Sequence, residues 1–133
     1  MRAEILKAIK VKLEGLNKFK CVYGKQRDWR TESDFPFACV FFPAQSFDHK
    51  TLAGDTLSSL RGSGLVTIRV FSLNSDDTPE FELDELLDTV LLMLLQDTTL
   101  SGLARTTDIL QVQTDGGVLE SHSIGDISLQ VQI

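Results

Sequence analysis

The chain has few of the residues on which most small-domain chemistry depends. Among 133 residues there are two cysteines, two histidines, three prolines, one tryptophan and one tyrosine. Two thiols, Cys21 and Cys39, are too few for a disulfide framework or a four-cysteine zinc site. No HExxH pattern, phosphate-cradling glycine loop or EF-hand loop occurs. The apolar run at residues 90–95 is six long, far short of the ~20 residues that span a bilayer. Lysines interrupt the first apolar residues within two turns, so no cleavable signal peptide is expected. A soluble protein made in a cytoplasm, with its thiols reduced and buried, is the expectation. There is no internal repeat and no low-complexity tract.

What is present is the balance of one folded domain: 42% hydrophobic and 24% charged residues. The formal net charge of −6 disfavours coating a phosphate backbone, although it leaves open working beside DNA. That sum hides a division. Residues 1–30 carry nine bases and three acids, a net of +6; the remainder carries four bases and sixteen acids, a net of −12. A chain polarised in this way can attract copies of itself head to tail.

Ile5, Leu6, Ile9, Leu13 and Leu16 recur at three- and four-residue intervals between lysines, which predicts an amphipathic helix with a basic outer face. Gly15 and Asn17 mark its end. A short strand is expected at 20–23, followed by a polar segment holding Trp29. Phe37-Ala38-Cys39-Val40-Phe41-Phe42 is apolar at every position, as in a strand covered on both faces or placed in a subunit contact. Residues 44–63 lack a clean period and predict a long loop, with Gly62-Ser63-Gly64 as a flexible lead-in to the next strand. That strand, 65–71, sets Val66, Ile68 and Val70 against Thr67 and Arg69.

A second helix is expected after Thr78 and Pro79. Leu83, Leu86, Leu87, Val90, Leu91, Leu94 and Leu95 form its core stripe, and Glu80, Glu82, Asp84, Glu85 and Asp88 its outer face. Two final strands, near 108–114 and 124–133, flank the turn residues Asp115-Gly116-Gly117. The pattern predicts one α+β domain spanning residues 1–133. Two helices pack on one face of a mostly antiparallel four- to five-stranded sheet, with a long loop around 44–63.

A search for catalytic residues finds little. His49, near Asp48 and Asp55, has residue types that hold a metal or pass a proton, yet such loops are more often simply solvated. Ser121, His122 and Asp126 have the residue types of a catalytic triad, but they fall within six residues instead of converging from separate elements. Asp76-Asp77 reads either as a hard-cation ligand pair or as a helix cap and solvated turn. Cys39 reads as a core thiol. Trp29, between Arg27 and Arg30, suits base stacking or covering a core edge or partner. No enzyme activity and no cofactor are expected.

The stretch Asp34-Phe35-Pro36 followed by the apolar strand, the long acidic loop and the strand ending in Val70-Phe71 resembles the phage tail terminators of the lambda minor tail protein U family. The likeness extends to the basic opening Arg2-Ala3-Glu4-Ile5-Leu6, the acidic helix with Leu83-Asp84-Glu85-Leu86, and the hairpin after Asp115-Gly116-Gly117. Order and spacing carry it. The resemblance implies a homohexameric ring that caps the tail tube, stops its polymerisation and presents a surface to the head. The implied partners are further copies of the chain, the tail tube protein and the head-completion or connector protein. The implied location is the virion tail, reached from the host cytoplasm, and the chain comes from a phage or a prophage. DNA would pass through the ring without sequence-specific binding, and no membrane is involved.

A ring needs one patch that meets a different patch on the next subunit. Lys7, Lys10 and Lys12 against Glu82 and Glu85 are candidates for orienting charges. Phe41, Phe42 and Phe47 are candidates for apolar contact area. His49, Asp55 and Arg61 are further candidate subunit or tube contacts, and a divalent cation assisting oligomerisation is left open. Two other readings compete: another neck or head–tail joining protein, and a small α+β enzyme or ligand-binding domain built on His49 and nearby acids.

Overall fold

The structure, a computed structural model, describes residues 2–27, 34–43, 63–73, 81–115 and 122–132. Ile5, Ile9 and Leu13 recur every four residues and are withdrawn from water, so one stripe of helix α1 (Arg2–Gly15) meets the core. The helix stops where Leu16 N–H donates to Leu13 O at 3.2 Å and Asn17 takes a left-handed φ of 56°. Strand β1 (Cys21–Tyr23) follows, then β2 (Phe37–Phe41), whose five residues are all buried. The Phe35–Pro36 peptide before β2 is cis. Next come β3 (Ser63–Leu73), helix α2 (Phe81–Gln96), β4 (Thr106–Thr114) and β5 (His122–Gln132).

The five strands form one sheet in the order β1-β2-β3-β5-β4. β1 and β2 are parallel, and every other neighbouring pair is antiparallel. Ala38, Val40, Val66, Ile68, Val70, Ile127, Leu129 and Val131 point to one face, where residues of both helices pack on them. This is the expected α+β arrangement: two helices on one face of a mostly antiparallel sheet. α1 lies over β1 and β2, and α2 over β3 and β5. Among the described residues, β4 is the strand least covered by the helices, although Ile109 packs against the same core.

Some details differ from the sequence expectation. Ser63 and Gly64 do not form a flexible lead-in: they belong to β3 and pair with Gln132 and Val131 of β5. Backbone pairing extends β3 beyond the residues whose side chains alternate. In β4 the register slips between Ile109 and Gln111, so Leu110 is an extra, bulged residue that breaks the strand's alternation. Leu95 is not in the core; it is 65% exposed. A turn of 3.6 residues brings Leu83, Leu87, Val90 and Leu94 inward and carries Leu92 and Leu95 round to solvent.

Gly125 marks the closest approach of α2 to the sheet. A methyl group there would lie 2.8 Å from Leu87 Cδ1, and Leu87 is itself buried. Gly125→Ala is expected to destabilise the fold by about 1–3 kcal/mol through overpacking. In a double-mutant cycle, trimming Leu87 to Ala should relieve part of that cost; strictly additive urea-denaturation energies would count against this contact.

Candidate interaction surfaces

Register sets the side chains on the sheet face away from the helices. Tyr23, Cys39, Arg69, Asp126 and Gln113 lie opposite one another across the five strands. Beside them, Cys21, Phe37, Phe71 and Ile124 form a second row. The Phe37 and Phe71 rings stack at 4.4 Å, with Tyr23 edge-on at 5.8 Å and Phe35 at 5.1 Å from Phe37. Cys21 and Cys39 form no disulfide and belong to this layer, Cys39 buried and Cys21 half-buried.

Arg69 and Asp126 cross the β3–β5 ladder as a bidentate pair. Arg69 Nε donates to Oδ1 at 2.7 Å and Nη2 to Oδ2 at 2.9 Å. The guanidinium also lies 5.2 Å from the centre of the Phe41 ring. Hydrogen bonding to Asp126 raises the Arg69 pKa above its ordinary value, while burial acts in the opposite sense. Arg27, Arg69, Phe71, Gln113, Ile124 and Asp126 line an open cleft of about 390 Å³. The His122 ring packs 4.9 Å from that of Phe35, the carboxylate of Asp126 is held by Arg69, and Ser121 lies outside the described residues.

The other face carries both helices. Lys12 reaches Asp97 just beyond the end of α2, while Lys18 shares a cleft with Glu82 and Glu85 near its start. Asp97 organises the following turn. Its carboxylate lies 2.5 Å from Lys12 Nζ and accepts from Thr99 Oγ1 at 3.1 Å and from the Ser101 N–H at 3.0 Å. Leu100, Ser101 and Gly102 take φ values of 51°, 61° and 91° in that turn. Left-handed φ costs a non-glycine residue about 1 kcal/mol or more, and here the carboxylate bonds and the complete burial of Leu100 hold it.

The hydrogen bond from Lys12 is the main cause that brings the Asp97 pKa from 3.8 to about 2; Thr99 and Ser101 act the same way and burial opposes them. A carboxylate acidified by folding stabilises the fold above its unfolded pKa, and that contribution is lost as pH falls through the folded value. Wild type should therefore be more stable than Asp97→Asn at neutral pH, with the two melting curves converging between about pH 4 and pH 2. A gap that stays constant over that range would contradict this role.

The two flanks of α2 differ. Towards α1 lie Glu82, Glu85 and Thr89. On the opposite flank Asp84 shares a small cleft with Thr114 and Asp115 at the end of β4. Asp88, Leu91 and Leu95 follow Asp84 at helical spacing on that flank, and Val112 is exposed on the helix side of β4. Beside α1 there is a separate groove of about 380 Å³, with Ala8, Val11, Leu100 and Leu103 as its apolar lining and Lys7 and Lys12 at its edge.

A scan against models of known protein families finds no match. A search of curated proteins also finds none.

The structure disperses the residues singled out from the sequence. Lys7 is exposed beside the groove, Lys10 lies 3.4 Å from Glu14, and Lys12 is bound to Asp97. Phe41 is buried beneath Arg69, and Phe42 is half-buried against the helix-side core. Glu82 and Glu85 are exposed near the start of α2. Phe47, His49, Asp55 and Arg61 lie outside the described residues, as do Trp29 and Asp76-Asp77. Among the described residues, no three His, Cys, Asp or Glu side chains gather as a metal cage, and no helix is long and apolar enough to cross a membrane. Sequence reasoning missed Asp97. The hydroxyls of Thr99 and Ser101 just after it are the local signal of a side-chain-capped turn.

Proposed function

We propose that this chain is a ring-forming structural protein of phage assembly, a tail terminator that caps the tail tube, stops its polymerisation and offers a surface for head attachment. The observation that carries the reading is the presence of two unlike exposed surfaces on one chain: the lysine-edged groove beside α1 and the aspartate-bearing leucine flank of α2. Unlike patches join head to tail, and such contacts close into a ring when the rotation between neighbours permits. Apolar area would hold the ring. Exposed ion pairs contribute only about 0–1 kcal/mol each and would mainly orient the subunits.

The resemblance in element order and spacing supports the same reading, and with it the tube protein and the head connector as partners and the virion tail as location. Electron microscopy of particles assembled without this protein tests it. Tail tubes of uncontrolled, excessive length are expected. Tails of normal length that fail to join heads would overturn the terminator role and favour a neck component.

A further inference from the structure

We infer that the flank of α2 above β4 docks, head to tail, into the groove beside α1 of a second copy of this chain; this rests on the ring reading and names its contact surfaces. The two helices pack chiefly over four of the five strands, and β4 is the least covered among the described residues. Leu95, 65% exposed, follows Asp84 at helical spacing on that flank of α2, and Val112, 41% exposed, sits on the helix side of β4. Asp84 and Asp88 are exposed on the same flank of α2. The receiving groove has the opposite character: Val11, 62% exposed, and Leu103 supply apolar area, and Lys7 stands at the edge. Glu4 also lines the groove, and Lys12 is already bound to Asp97, so Lys7 is the principal cation offered to a neighbour.

A partner carrying both exposed leucine and exposed aspartate fits this groove, and the chain itself carries that combination. Geometry keeps the contact between copies. This flank of α2 lies on the side away from α1, so one chain cannot fill its own groove. Self-pairing of like surfaces is opposed as well, since it sets aspartates against aspartates or lysine against lysine. Head-to-tail pairing matches charge and apolar area together.

Sedimentation of Val11→Asp, Leu95→Asp and their mixture tests the inference, with circular dichroism confirming that both exposed-site variants fold. Each variant alone should associate at least about thirtyfold more weakly than wild type, as for loss of an interface hot spot. An equimolar mixture should yield one-to-one dimers and nothing larger, because each variant keeps the surface that the other has lost. Lys7→Glu should weaken association, and adding Asp88→Lys in the same chain should restore it. Variants that assemble like wild type, or a mixture that yields no dimer, overturn the inference; intact rings in that case leave the ring reading standing. Wild type that never associates overturns both. Association through these surfaces combined with normal tail length when the protein is missing overturns the terminator role alone.

Discussion

Truncating Phe37 to alanine is expected to destabilise the fold by about 3–5 kcal/mol. Phe37 is fully buried at the start of β2, on the face away from the helices, and its ring touches those of Phe35, Tyr23 and Phe71. The loss combines the transfer energy of a buried aromatic ring with that of the cavity left among neighbours fixed by the sheet. Val40→Ala, the matching truncation on the helix side of the same strand, removes fewer atoms and should cost less. Chemical denaturation of both variants decides the point. A cost for Phe37→Ala below about 1 kcal/mol would mean that the aromatic layer is not a second core.

Breaking the Arg69–Asp126 pair from one side is expected to cost about 1–3 kcal/mol, because the remaining charge stays partly buried without its bidentate partner. Each side chain retains about a quarter of its exposure, which keeps the figure below that of a fully buried pair. Arg69→Met combined with Asp126→Leu should recover most of the loss, since well-packed apolar residues can replace a desolvated ion pair. The coupling in this cycle should exceed 0.5 kcal/mol by roughly twofold or more. Additive single-variant costs would show that the two groups act independently.

Periodic patterns made most of the fold legible. The four-residue spacing of Ile5, Ile9 and Leu13 specified α1 and its buried stripe. The alternation of Ile127, Leu129 and Val131 with Ser128, Gln130 and Gln132 specified β5, whose burial alternates along its whole length. What remained hidden depends on neighbours distant in sequence. The parallel pairing of β1 with β2 and the extra pairs at both ends of β3 are backbone hydrogen bonding that leaves no side-chain pattern. Continuous apolar runs are also ambiguous. Residues 90–95 include both the buried Val90 and Leu94 and the exposed Leu92 and Leu95.

The same limit applied to the candidate surfaces. Charge arithmetic pointed to a basic N-terminal portion and an acidic remainder, which suggested attraction between copies. Folding places the two helices side by side, so Lys12 meets Asp97 within the chain and Lys7 stays exposed. Leu95, exposed beside the aspartates of α2, reads as core from sequence alone, because a wide buried stripe and an exposed apolar flank look alike in a short sequence window.

Ring formation is tested most directly by the mass of the protein in solution, measured by native mass spectrometry over a range of concentrations with and without magnesium. A closed ring gives one species of fixed subunit number, a hexamer by the resemblance, whose mass stays constant once assembly is complete. A single-subunit mass under every condition, or a series that lengthens without limit as concentration rises, would contradict it.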